Sequence, residues 1–433
     1  MKKLFSLLLI LPMLVYCNPE NSKSDPDETI DIEKLPTDPY SNPIAEEDLP
    51  AEIHDGDVLL ATNPNVEKFL TEVNYEDKNY TTTLVRNYYG GFNGIKYNEN
   101  GEPDENGELV SEPVSDIPPK YTIRWEATSA SEQYLYELKE SDWKLVRKVN
   151  ARYGYVVVTN LVPQTTYTYK ISSIADPKLV VAKGSFTTTG HLHQVFFNSA
   201  VRNGRDLGGW KTLDGKTVRY HKIYRGGRLQ TGELNKQGRS EVLWEGIGAQ
   251  LDLRGGDKIS KSPVDGVDFL APGIETGGRT MLNNYKDKTK QCFEFVVNSL
   301  RAGKPVYFHC SLGRDRTGTL GILLLGLLGV REGDISKEYE VTYFAPMGYS
   351  VSSSEDVVDG KPWDERHPDL AAQGYHFPYF LNTKDAWVYS DVVPFFWGWA
   401  DKNGTFAEGV EKYLLSIGVA QKDINDFRKI MLK

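Results

Sequence analysis

Apolar positions along the chain change period at several points, and those changes divide it. Leu4 to Val15 is an apolar run behind Lys2 and Lys3, too short to cross a bilayer as a mature helix. From Asn18 to about Pro50 large apolar residues thin out, and Pro, Ser, Asn, Asp and Glu give the pattern of a flexible tether. From about Ala51 to Thr189 short runs predict strands: Val58-Leu59-Leu60, Thr81 to Val85, Tyr121 to Trp125, Tyr134 to Leu138, Tyr155 to Val158 and Tyr167 to Ile171. Gly, Asn, Pro and Asp punctuate them, as in a sandwich of antiparallel strands. Residues 51–114 either add strands to that sandwich or lie between domains.

From about His191 strands and helices alternate. Gly248 to Leu253 reads as a short buried strand, and Asp287 to Leu300 as a helix with Cys292, Phe295, Val296, Ser299 and Leu300 on one face. Gly303 ends it. Val306-Tyr307-Phe308 after Pro305 predicts a central strand, Thr317 to Leu328 an apolar helix, and Glu332 to Phe344 a further helix. Strand–loop–helix is the unit of a mostly parallel α/β sheet. Residues 346–403 are rich in Tyr, Trp, Phe and Pro and too long for a bare loop, so local structure or a substrate-facing insertion is expected. Two helices broken at Gly418 close the chain from about Phe406 to Leu432.

A length of 433 residues fits two or three domains, and 39% apolar with 12% aromatic residues supports buried cores. The formal charge of −10 argues against a nucleic-acid partner, since such binding rests on Lys and Arg neutralising phosphates. It leaves room for a local basic pocket. The chain has three Cys. Cys17 stands where the apolar run ends, and that segment resembles a bacterial lipoprotein signal, with Tyr16 in the place usually held by Gly, Ala or Ser. The resemblance implies lipidation at Cys17, export and anchorage at the cell envelope, with a signal over 1–17, a tether over 18–50, a β domain over 51–190 and an α/β domain over 191–433. Cys292 and Cys310 make neither a disulfide framework nor a zinc pattern. Cys292 reads as a core residue on a helix face.

Cys310 lies in His309-Cys310-Ser311-Leu312-Gly313-Arg314-Asp315-Arg316-Thr317-Gly318. A strand ends at His309 and a helix begins near Arg316. Between them a short loop with Gly313 turns backbone N–H groups of Ser311, Leu312, Gly313 and Arg314 toward one centre, and the helix N-terminus adds partial positive charge. That is a cradle for a tetrahedral dianion. A thiol at its floor, beside Arg, is favoured as thiolate and faces phosphorus as a nucleophile. The planar fork of Arg316 matches two phosphate oxygens. Thr317 offers a hydroxyl to the departing thiolate. The rival chemistry, metal-assisted hydrolysis, needs clustered His and carboxylates, and the seven His are scattered along the chain. No cofactor is implied.

The run resembles the signature of Cys-dependent protein tyrosine phosphatases, and more closely a bacterial branch with Asp before the Arg. Arg202 to Gly209 is similar to that branch's entry motif, with Gly204 in the variable place. Tyr224 to Leu229 is similar to a second motif, with Gly226 replacing Ser, and Leu251-Asp252-Leu253-Arg254 to a third. The resemblance covers about Val195 to the C-terminus and implies a tyrosine-phosphatase-like α/β fold. Separately, Leu161 to Tyr169 resembles the corner of fibronectin type III-like domains, where a Tyr hydroxyl bonds back to the backbone. That resemblance covers roughly 115–189.

In the branch, the loop Asp is the general acid, here Asp315; its other reading is a carboxylate that pairs with a neighbouring Arg. Asp206, Asp252 and Glu275 are the alternatives. Arg314 either binds a second phosphate or is a surface charge. Arg225 and Arg254 either line the pocket or form structural ion pairs. Asp206 and Asp252 are expected to hold loops and arginines in place, and His309 to bond backbone and tune Cys310. The expected partner is a phosphorylated substrate, whether phosphotyrosine protein, phosphoinositide or small organic phosphate. The competing reading is a surface protein that binds phosphorylated ligands without turnover.

Overall fold

Tyr167, Tyr169 and Ile171 are buried while Thr166 and Thr168 are exposed, the two-residue period of a strand with one face inward. In the computed structural model they lie on β6 (Thr166–Ser173), in a sheet with β1 (Asp57–Leu60), β3 (Gln133–Glu140), β4 (Trp143–Asn150) and β7 (Val180–Thr189), ordered β1-β7-β6-β3-β4. Neighbours are antiparallel except β1 on β7. A separate antiparallel pair, β2 (Tyr121–Arg124) and β5 (Tyr155–Val158), shares a core with that sheet through Ile123, Val156, Val158, Tyr136, Leu138 and Phe186. The Val162 N–H donates to the Tyr167 hydroxyl at 2.9 Å. The structure describes residues 35, 44–72, 116–128, 133–141, 143–197, 201–230, 234–256, 258–345 and 391–433, with the backbone of four two-residue strands at 96–97, 108–109, 357–358 and 361–362. The signal-like run, Cys17, most of the tether, the strand expected at Thr81 to Val85 and most of 346–403 lie outside the described residues.

Two features differ from the sequence expectation. The end of the tether lies on the sandwich: the Ile44 N–H donates to the Tyr155 hydroxyl at 2.6 Å, and Arg124 pairs with Glu46. Within the segment read as β, α1 (Pro64–Glu72) forms. Pro64 suits a first helical position, and the Asn63 carboxamide accepts the N–H groups of Asn65 and Val66. Val66, Phe69 and Leu70, spaced for one helix face, pack on Leu192, Val341 and Phe344 of the following unit.

The second sheet holds β8 (Arg205–Asp206), β9 (Ile223–Gly226), β10 (Ala249–Asp252), β11 (Asp268–Leu270) and β12 (Val306–His309), ordered β8-β9-β12-β10-β11. It is parallel except for β8 on β9. Both faces are covered. Ile223, Ala249, Leu251, Val306 and Phe308 meet α3 (Gly278–Asn284), α4 (Lys286–Arg301), α5 (Asp315–Leu327), α8 (Phe406–Ser416) and α9 (Gln421–Met431), with the short α7 (Val393–Trp397) beside them. Tyr224 and Tyr307 face the other way, onto α2 (Lys236–Trp244) through Val242. Full burial of all four residues of β12 is what a central parallel strand requires. Each buried Val, Leu or Phe there contributes about 1.5–3 kcal/mol. β12 and α5 therefore form a rigid support, and the loop between them, residues 310–314, is held at the carboxyl end of the sheet. α6 (Glu332–Glu340) follows α5 and packs against it. Among the described residues no helix is long and apolar enough to cross a membrane.

Candidate active site

The loop that begins at Cys310 has its carbonyls engaged from outside, one after another. The Cys310 carbonyl is 3.1 Å from His309 Nδ1, and the Ser311 carbonyl accepts the Arg228 N–H at 3.1 Å. The Leu312 carbonyl accepts from Asn203 Nδ2 at 3.3 Å, and the Gly313 carbonyl from both Asn203 Nδ2 at 2.9 Å and Arg225 Nη2 at 2.7 Å. In a trans peptide the N–H points opposite to the C=O. Pulling these four carbonyls outward turns the N–H groups of Ser311, Leu312, Gly313 and Arg314 toward the loop's interior, where α5 begins. Gly313 has φ +73°, and a Cβ there would collide with the backbone of Gly226. Only glycine meets both conditions.

The arginines that grip the loop are themselves gripped. Arg205 Nε donates to Glu338 Oε1 at 2.6 Å, and Arg225 Nη1 to Glu338 Oε2 at 2.7 Å, with all three side chains at 1% exposure or less. Arg205 also donates to the Asn203 side-chain oxygen. Of the two readings left open for Arg225, the geometry is the structural ion pair, reaching past it to the loop. Arg254 likewise pairs with Asp252 at 2.9 Å and donates to Gln230 at 2.8 Å. Burial works to raise the Asp252 carboxyl, but hydrogen bonds from Arg254 and the nearby His309 ring hold it below its ordinary value. Asp206 accepts the N–H groups of Gly208 and His221 at 2.7 and 2.6 Å, holding the loop after β8.

Cys310 is 2% exposed. Its neighbour His309 is buried between Gln250, 2.9 Å from Nε2, and the Cys310 carbonyl, so it bonds backbone at the nucleophile. Asp315 opens α5 with its side chain 46% exposed and 3.2 Å from Arg314 Nε. Arg316 donates from Nη1 to the Ile274 carbonyl at 2.9 Å, which ties the segment around Glu275 to the loop. A Cβ on Gly277 would sit 2.7 Å from the Asp315 carbonyl carbon, so that segment lies directly on the first turn of α5. Glu275 is exposed, its carboxylate against Gly255. The Thr317 hydroxyl is buried without a hydrogen-bond partner. Cys292 lies in the core on α4, where burial pushes its thiol far up.

Three residues that the sequence left scattered come together: His193 Nε2 and His221 Nδ1 each lie 3.7 Å from Glu245 Oε2. They could not be found from spacing, because each comes from a different segment. Their ring nitrogens already face oxygens of Asn160 (2.9 Å), Asp206 (3.3 Å), Tyr224 (2.9 Å) and Glu140 (2.7 Å). Two of those partners, Asn160 and Glu140, belong to the sandwich, so the cluster joins the units by hydrogen bonds. Sequence reading also missed Asn203, Glu338 and Asp116 as groups behind the loop.

A parallel sheet whose central strand leads into a loop carrying a buried thiol, with an arginine in the first turn of the next helix, is a strand–loop–helix unit of an α/β fold. The tyrosine phosphatase family model matches residues 198–433, and the chain belongs to that family. A protein of Cupriavidus necator that carries a provisional tyrosine-protein phosphatase name is 28% identical over 172 residues, 34% of this chain and 62% of that protein. A tyrosine-protein phosphatase of Nostoc commune is 24% identical over 219 residues, 46% of this chain and 70% of the relative. The chain thus spans less than two thirds of the first relative. Among solved structures, TpbA of P. aeruginosa in complex with pTyr gives a TM-score of 0.24 at 14% identity, covering 30% of this chain and 74% of that one. The core catalytic domain of a PP-IP phosphatase of S. cerevisiae gives 0.23 at 18% identity, covering 35% and 88%. Scores of this size carry no argument for this chain.

Proposed function

We propose that the chain is a Cys-dependent phosphatase that hydrolyses phosphate monoesters through a phosphocysteine. What supports this reading is that each carbonyl from Cys310 to Gly313 has a partner, which leaves the four N–H groups that follow them to turn the other way, beside a buried sulfur. The Cys310 thiolate attacks phosphorus and the ester P–O bond breaks. Arg316 and the loop amides hold the three remaining oxygens, and Asp315 gives its proton to the leaving oxygen. Asp315, now a carboxylate, takes a proton from water. The resulting hydroxide attacks phosphorus, releasing phosphate and restoring the thiolate. The half-exposed position of Asp315 supports its exchange of a proton with leaving group and water.

The lipoprotein-like start at Cys17 supports an exported, membrane-anchored enzyme whose substrates lie outside the cytoplasm. The Tyr167–Val162 bond supports a fibronectin type III-like front unit. The substrate classes are phosphotyrosine protein, phosphoinositide and small organic phosphate.

Release of phosphate by the full chain from p-nitrophenyl phosphate, a phosphotyrosine peptide and phosphoinositides, with reductant and chelator present, tests the proposal. Turnover that survives the chelator is expected; none of the three being hydrolysed by folded protein contradicts it and favours a binding protein. Arg316→Lys is expected to lower kcat/KM by about 10²–10³-fold, because a point charge replaces a fork. In single-turnover measurements of the first step, Asp315→Asn should slow cleavage of alkyl phosphates by about 10²–10⁴-fold and of p-nitrophenyl phosphate much less, since nitrophenolate leaves without a proton. Equal slowing of that step on both substrates would remove Asp315 from the acid's role.

A further inference from the structure

We propose that Asp116, in the segment that leads into the sandwich, is a positioning residue for the anion-binding loop. The inference rests on the loop binding phosphate. Asp116 lies upstream of the family-matched segment, yet its Oδ2 accepts the Asn203 N–H at 3.1 Å in a buried contact. Asn203 has φ +58°, a left-handed backbone that asparagine tolerates better than most residues. In that conformation its side-chain amide reaches the carbonyls of Leu312 and Gly313 at 3.3 and 2.9 Å. Asp116 therefore holds the backbone of the one residue whose side chain turns two loop peptides outward.

Gln194 and, through it, Asn63 of the front unit fix Asp116 in turn. The Asp116 carbonyl accepts from Gln194 Nε2 at 2.7 Å, Gln194 Oε1 accepts the Asn63 N–H at 2.7 Å, and Asn63 Nδ2 donates to the Ile117 carbonyl at 2.8 Å. Asn63 also caps α1, which packs on Phe344. The sandwich side of the molecule is thus a structural part of the phosphate site.

The carboxylate itself is costly. Burial drives Asp116 up to about 6, against the Asn203 hydrogen bond and the charges of Arg205 on β8 and Arg202 before it; Arg205 is itself paired with Glu338 on α6. Its Oδ1 is buried and has no hydrogen-bond partner. Because the folded chain holds this proton more tightly than the unfolded one, Asp116 lowers stability as pH rises from 3.8 through about 6. A charge kept where it costs stability points to a task in the site.

Calorimetric titration of inorganic phosphate into the full chain tests this, and its affinity does not depend on the active fraction. At about pH 7.5 Asp116→Ala should weaken phosphate binding about tenfold, the effect of leaving a buried N–H unpaired. Asp116→Asn, which keeps an acceptor oxygen, should weaken it about threefold while its melting temperature stays equal to or above wild type. The Asp116→Asn to wild-type ratio should approach one by about pH 5, where wild-type Asp116 is itself protonated. If Asp116→Ala does not fold, Asp116→Asn decides. Folded variants that bind phosphate within about twofold of wild type overturn the inference alone. A wild type that binds no phosphate overturns the function reading, and this with it.

Discussion

Cys310→Ser is expected to abolish turnover of p-nitrophenyl phosphate, by about 10⁴-fold or more, while phosphate binding remains. The asymmetry follows from the division of labour in the loop. On the proposed reading phosphate is held by loop amides whose carbonyls bond His309, Arg228, Asn203 and Arg225, and those bonds do not run through the sulfur. On the same reading the chemistry needs a sulfur nucleophile, and a serine hydroxyl is a far weaker one. Oxygen for sulfur is a small change in a site where the side chain is 2% exposed, so the fold should hold. Steady-state hydrolysis and phosphate titration on the same preparation check both halves. Retained turnover would move the nucleophile elsewhere.

Glu338→Ala is expected to destabilise the protein by about 3–5 kcal/mol, because it strands buried charge that had a partner. The carboxylate is fully buried between Arg205 and Arg225 at 2.6 and 2.7 Å, and its backbone carbonyl takes a further Arg205 bond at 2.7 Å. Removing it leaves two buried guanidiniums facing each other across a void. Arg225 then loses the partner that aims its other nitrogen at the Gly313 carbonyl, so phosphate affinity should fall with stability. Glu338→Gln keeps the shape and one acceptor and should lie between. Thermal or urea unfolding of the full chain measures the first effect. A loss below about 1 kcal/mol for Glu338→Ala would show that the arginines find other partners or water.

The site's centre was legible because its parts are contiguous. Strand, thiol, glycine, aspartate and arginine follow one another from Val306 to Arg316, and a strand–loop–helix places neighbours in sequence around one point. How the loop is held from behind was not legible, although Arg225 could be named. Asn203, Arg225 and Glu338 meet Gly313 or one another across 88 to 113 residues, and no local pattern records such pairs. The alternating strands of the sandwich with a clean buried face, such as Tyr167 to Ile171, were readable. β4 and β7 were not, because only their last four residues alternate cleanly and the residues before them are half-buried or exposed without a period. α1 was hidden for another reason: its apolar face is short, and it is completed by Val341 and Phe344 far along the chain. The His193, His221 and Glu245 cluster likewise exists only once three segments fold together.

The claim beneath all of this is that phosphate is transferred to one sulfur. In Asp315→Asn the first step should still run on p-nitrophenyl phosphate and the second should stall, since water has lost its base. Mass spectrometry of that full-length variant, quenched during turnover, should find one PO₃ unit on the peptide that contains Cys310. Phosphate on another residue, or full turnover with no covalent phosphate at any time of quenching, would contradict the account.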